Sequence, residues 1–120
     1  MPPNNRDAGS LWDMVSAIHR IQEFTANMTY EAYLDSALIQ SAVERQFEIL
    51  GEAARRLSDE FRQAYPEIDW RRIIGLRNIL IHRYDEIRQQ TVWTTVISEL
   101  EPLLAQLEIL RCSLPSTVNI

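Results

Sequence analysis

A chain of 120 residues, 46 % of them hydrophobic and broken by only three glycines and five prolines, has the size and apolar content of one domain with its own core. No apolar run approaches the roughly 20 residues needed to span a bilayer, and the start lacks the charged and apolar regions of a signal peptide. The single cysteine, Cys112, excludes an internal disulfide, no cysteine–histidine set resembles a zinc site, and a cytoplasmic location is the simplest reading.

The net charge of −5 argues against non-specific nucleic-acid binding, but the average conceals a local reversal. Residues 71–88 carry five arginines (71, 72, 77, 83 and 88) against Asp85 and Glu86. The chain contains no lysine, so every fixed side-chain cation is a guanidinium, whose rigid fork of donors suits phosphate. A genomic preference for arginine would produce the same composition.

In chain order, residues 1–5 are polar, contain Pro2 and Pro3, and are expected to be loose. Residues 7–26 read as a first helix with an apolar face of Leu11, Val15, Ile18 and Ile21. Residues 27–33 read as a turn with a short helical piece, Thr29 being a candidate cap. Asp35 can cap a long second helix reaching about residue 64. Its stripe is Val43, Phe47, Leu50, Ala54, Leu57 and Phe61, widened by Leu38, Ala42, Ile49 and Ala53. A stripe of that length needs a broad partner surface within the domain or on a second copy.

Tyr65-Pro66 should end that helix, and Asp69 should cap a third over residues 70–82. A fourth helix begins near Arg88 or Gln90 and runs to about residue 110. Its face is Val92, Val96, Leu100, Leu103 and Leu107, with Trp93, Ile97 and Leu104 beside it. Pro102 should kink it or leave a carbonyl unpaired. Residues 112–120 are expected to fray. There are no strand signals and no repeats, so the predicted class is all-α, a helical bundle over residues 6–111.

The chemistry gathers in Arg77-Asn78-Ile79-Leu80-Ile81-His82-Arg83-Tyr84. Ile74 and Ile81 bracket Arg77 and should partly embed it, whereas Arg71 and Arg72 face solvent. Asn78 and His82 lie four apart, so Asn78 can orient the imidazole or share its ligand. Tyr84 follows two positions later. The set suits RNA cleavage. RNA carries its own 2′-hydroxyl nucleophile, a histidine with a pKa of about 6.5 can take or give its proton, and an arginine can stabilise charge on the phosphorane oxygens. That route requires no metal. One histidine does not easily serve as both acid and base, so water, Tyr84 or a second subunit would supply the other group.

Plainer readings exist for each residue. Arg77 can pair with Glu52 or Glu48, His82 can sit at a helix C-terminus favoured by the dipole, and Tyr84 can pack at a turn. His19 reads as a surface residue. Glu44, Glu48 and Glu52, four apart, read as a solvated face or as arginine partners. Asp85 and Glu86 balance local arginines. Trp12, Trp70 and Trp93 read as packing anchors, too far apart in sequence to form a stacking platform for bases.

Gly75-Leu76-Arg77-Asn78 followed by Ile79-Leu80-Ile81-His82-Arg83-Tyr84 resembles the motif of the HepT-like branch of the HEPN ribonucleases: arginine, a polar residue, a spacer, histidine, then tyrosine two positions on. The segment from Ile49 through Gly51-Glu52 to Ser58, the turn Tyr65-Pro66-Glu67-Ile68-Asp69-Trp70, and Val92-Trp93 resemble further blocks of that family, in order, over roughly residues 6–110. The resemblance implies a compact, up-and-down antiparallel bundle that homodimerises, with a metal-independent endoribonuclease toxin site in the dimer cleft. Arg77 and His82 would be catalytic, and Asn78, Arg83 and Tyr84 supporting or RNA-binding. It also implies a partner, a nucleotidyltransferase antitoxin of the MntA kind that transfers AMP from ATP to Tyr84. No cofactor would be needed for cleavage. Arg83, in the variable slot, adds charge near the cleft. The alternatives are a non-catalytic helical or nucleotide-binding partner of a nucleotidyltransferase, which would use the same arginines, and a structural dimer without a ligand.

Overall fold

The computed structural model describes residues 5–113, without the side chains of Asn5 and Tyr84, and all its regular structure is helical. The elements are α1 (Asn5–Thr25), α2 (Tyr30–Leu34), α3 (Ala37–Arg56), α4 (Asp59–Ala64), α5 (Trp70–His82), a 3₁₀ turn (Tyr84–Glu86), α6 (Gln89–Ser98) and α7 (Leu100–Ser113). The chain is thus an all-α bundle, as expected. Asn5 opens α1, and Cys112 and Ser113 close α7; the rest of the expected loose termini lies outside the described residues.

The core is built on α1 against α3, with α5 on α3 and α7 on α1. Leu11, Val15, Ile18 and Ile21 are buried as expected, joined by Met14 and Ala17. Opposite them lie Val43, Phe47, Leu50, Ala53 and Ala54. Leu38 does not join this stripe; it is 79 % exposed.

Three expected helix boundaries fall elsewhere. Asp35 does not cap α3. It ends α2, its backbone N–H donating to the Glu31 and Tyr33 carbonyls, and the cap of α3 is Ser36, whose hydroxyl accepts from the Ile39 N–H at 3.1 Å. The long second helix is two helices. Ser58 breaks it by accepting from the Phe61 N–H, while its own N–H and hydroxyl each donate at 2.8 Å to the buried carboxylate of Asp7 on α1. Leu57 and Phe61 stay buried on either side of the break. The fourth helix also divides, at Glu99. Pro102 has no N–H to give the Ser98 carbonyl and its ring excludes that carbonyl, so α6 stops at Ser98, and the Leu103 N–H restarts the ladder on the Glu99 carbonyl at 3.2 Å.

Two expectations hold in detail. Thr29 caps α2 by accepting from the Ala32 N–H, and Asp69 caps α5 by accepting from the Arg72 N–H, both at 3.1 Å. The start of α5 is then pinned by Trp70, buried beside Phe61, with its indole N–H donating to the Tyr65 carbonyl at 3.0 Å.

Candidate active site

The position of Arg77 is set by a glycine on another helix. A Cβ placed on Gly51 of α3 would overlap the Arg77 Cβ and press on the Ile73 carbonyl oxygen. Only glycine allows α3 and α5 to cross this closely. The Arg77 stem therefore lies on bare backbone, and its side chain is 16 % exposed. One terminal nitrogen is 3.1 Å from Glu52 Oε2, and the other donates to Asn78 Oδ1 at 2.8 Å. Nε is buried without an acceptor. Glu52 also lies 3.5 Å from an Arg55 nitrogen. The guanidinium is a held cation, its orientation fixed from two sides.

His82 is the last residue of α5 and is exposed. The helix ends there because Arg83 leaves helical geometry, its N–H closing on the Ile79 carbonyl at 2.9 Å. The Glu86 N–H then donates to the Arg83 carbonyl at 2.8 Å and turns the chain into the 3₁₀ segment that Tyr84 opens. The Arg83 side chain is 67 % exposed and lies 3.8 Å from Glu86. The Tyr84 side chain lies outside the description.

Of the expected set, then, the fold joins Arg77 to Asn78 and presents Asn78 and His82 on one exposed side of α5. Among the described residues no hydrogen bond or ion pair links His82 to Asn78 or Arg77. The Glu52 pairing named as a plain alternative for Arg77 is present. Ile79 and Ile81 flank the histidine, 38 % and 41 % exposed.

Elsewhere, His19 is exposed and 3.5 Å from Glu108, and Glu48 lies 3.2 Å from Arg45. Glu44 is buried and accepts from Gln89 at 2.6 Å, so it is not part of a solvated face. Trp70 and Trp93 are buried, but Trp12 is no core anchor: it is 56 % exposed, with the Arg111 guanidinium 5.1 Å from its ring centre. Among the described residues no three carboxylate, imidazole or thiol groups converge on a position for a metal ion. No helix among them is long and apolar enough to cross a membrane.

The reading of the sequence missed the role of Gly51. The signal was present: a glycine inside a long apolar stripe weakens the helix unless another backbone comes close. It also missed a polar relay. The Tyr33 hydroxyl donates to Gln89 Oε1 at 2.6 Å, and the Gln89 amide donates to Glu44. Burial first, and the Glu44 charge second, push the Tyr33 phenol well above its ordinary range. The relay ties α2 and α3 to the first residue of α6, directly after the segment that carries His82 and Tyr84.

Residues 14–110 match the family described as Ribonuclease HepT-like. A protein of Thermococcus cleftensis named "Probable ribonuclease HepT" is 37 % identical over 101 residues, 84 % of this chain and 92 % of that one. A protein of Methanocaldococcus jannaschii named as a candidate RNase is 34 % identical over 99 residues, 82 % and 91 % of the two chains. A protein of Caldanaerobacter subterraneus, also named as a candidate RNase, is 32 % identical over 90 residues, 74 % and 80 % of the two. No solved structure matches. With the family match spanning the bundle from α1 to α7 and including Gly51, Arg77 and His82, the chain belongs to the HepT-like ribonuclease family.

Proposed function

We propose that this protein is a metal-independent endoribonuclease toxin of the HEPN type, acting as an up-and-down helical homodimer whose two α5 helices line one RNA cleft. The observation that carries the reading is the clamped Arg77 on the helix that ends in an exposed His82, within a chain of this family. In the reaction the 2′-oxygen of a ribose bonds to the adjacent phosphorus and the bond to the 5′-oxygen breaks. One proton leaves the 2′-hydroxyl and one reaches the departing 5′-oxygen. His82 carries one of these transfers. Arg77, held by Glu52 and Asn78, stabilises the phosphorane oxygens without having to be ordered during the reaction. The exposed Ile79 and Ile81 beside His82 support a second α5 packing near the site, which would supply the other proton-transfer group.

The chemistry is tested with an RNA that carries a single 2′-deoxy sugar at its cleavage position. The expected result is no scission there and a cyclic 2′,3′-phosphate on products of the all-ribose strand. Scission next to the deoxy sugar would replace this mechanism with attack by water.

The same reading includes control by a nucleotidyltransferase antitoxin with ATP as AMP donor. The Tyr84 oxygen bonds to the α-phosphorus, pyrophosphate leaves and the phenol proton goes to solvent. The added phosphate places negative charge beside the cleft and opposes RNA binding. Incubation with such a transferase and ATP should add one AMP mass to the wild type and none to Tyr84→Phe. An AMP adduct on Tyr84→Phe would reject Tyr84 as the site.

One observation favours a second reading. Glu52 neutralises Arg77 in the isolated chain, as a purely structural pair would. In that case the protein is a non-catalytic partner of the transferase, and the wild type leaves RNA intact.

A further inference from the structure

Beside the Arg77–His82 site lies a second feature, an open cleft of about 520 Å³ between α4 and α5. It is lined by Arg62 and Asp59 from α4 and by Arg71, Ile74, Gly75 and Asn78 from α5. On α5 the residues Arg71, Gly75, Asn78 and His82 follow one another at steps of four, three and four, so they share one side of the helix. At a rise of 1.5 Å per residue this track runs about 16 Å from Arg71 to His82. Among the described residues, and apart from its chain neighbours and its own helix backbone, nothing lies within 4 Å of where a Gly75 side chain would begin, so the track dips there into open space.

Gly51 and Gly75 thus do different things. Gly51 is demanded by a helix that crosses it, whereas among the described residues no other helix comes that close to Gly75. A glycine within a helix is less stable than alanine, so an opening on the outer side of α5 is what this one provides. The cations along the cleft are also incompletely used. Arg71 is exposed and has no ion-pair partner among the described residues. Arg62 is held by Asp59 through one terminal nitrogen at 2.6 Å, while its Nε is buried with no acceptor. A buried donor left unmade is costly, and an anion entering the cleft would relieve it once the side chain turned outward.

From this juxtaposition we infer that the α4–α5 cleft is an RNA subsite. It takes the single-stranded segment flanking the bond to be cut, with Arg71 and Arg62 on its phosphates and the Gly75 saddle admitting the sugar–phosphate backbone close to the helix. The inference rests on the ribonuclease reading for its ligand. It assigns to Arg62, Arg71 and Gly75 a role in binding that is separate from the proton transfer at His82.

The test measures binding of a single-stranded RNA by fluorescence anisotropy, across a salt series, with the His82→Ala protein as background. Into it are placed Arg71→Ala and, separately, Gly75→Leu; wild-type cleavage of the same RNA is followed alongside. Arg71→Ala should bind about tenfold more weakly and lower the slope of log affinity against log salt by about 1. Gly75→Leu should weaken binding by a similar factor with the slope retained, because it fills the saddle and leaves every charge in place. Circular dichroism checks the helices, and Gly75→Ala, which should be at least as helical as the parent and intermediate in binding, guards against a folding defect in the leucine variant. Parental binding by both Arg71→Ala and Gly75→Leu overturns the subsite. Loss with Arg71→Ala alone overturns it too, since that is diffuse charge attraction without a groove. A wild type that binds RNA through this cleft and never cuts it would remove the ribonuclease reading and leave the subsite standing.

Discussion

Arg77 shows how one residue's chemistry depends on what a different helix leaves out. Its guanidinium is oriented only because Gly51 lets the arginine stem lie on the α3 backbone, within reach of Glu52. Gly51→Ala should force α3 and α5 apart and cost about 1–3 kcal/mol, as overpacking does in a tight core. It should also reduce cleavage by more than the unfolded fraction explains, because Arg77 loses its aim. Thermal unfolding and cleavage at a temperature where the variant is folded would check this. A variant of parental stability would show that the crossing relaxes freely and that Gly51 does not position the arginine. The motif itself was legible in the sequence, since arginine, amide and histidine are read by type and spacing. Spacing also gave the sides of α5, Arg77 partly embedded and Asn78 and His82 on one face; what it left open was which α3 carboxylate holds Arg77, and the Gly51 crossing that brings the two together went unread.

Local capping was legible at two helix starts and misplaced by one residue at a third, where Ser36 rather than Asp35 caps α3; a break set by a contact distant in sequence stayed hidden. Asp69 and Thr29 act on amides three residues ahead and were found. The break at Ser58 depends on Asp7, 51 residues away, while Leu57 and Phe61 keep the apolar spacing running straight through it. A periodic stripe shows which residues are buried, not whether the helix beneath is continuous. The Tyr33–Gln89–Glu44 relay was hidden for the same reason: its members sit on three elements. Because folding favours the protonated Tyr33 phenol, this contribution is fully present below the ordinary tyrosine range, about pH 10, and is lost as pH rises above it. Tyr33→Phe should therefore cost about 1 kcal/mol near neutrality through the unmade bond to Gln89. It should also flatten the alkaline fall of the stability curve. Denaturant titrations at a series of pH values would show this, and an unchanged alkaline limb would place the ionisation elsewhere.

Over the whole molecule, a chain of net charge −5 gathers Arg71, Arg72, Arg77 and Arg83 on α5 and the residue after it, with an open cleft beside the helix and an exposed histidine at its end. Under the proposed function, the acidic remainder discourages indiscriminate binding and leaves the α5 face to engage RNA. The helical class and most of the core followed from apolar periodicity, because burial follows residue type and spacing, although Leu38 and Ile97 on the expected faces are exposed. The cleft did not, because its α4 side depends on the break at Ser58, which the contact to Asp7 sets and the apolar spacing conceals. The central claim is that His82 on α5 makes this bundle a ribonuclease that needs no metal. Its most direct test is cleavage of a mixed RNA panel in excess chelator by protein of unmodified intact mass, with folded His82→Ala beside it. The account predicts cleavage by the wild type and none by the variant; equal cleavage by both, or intact RNA with both, would contradict it.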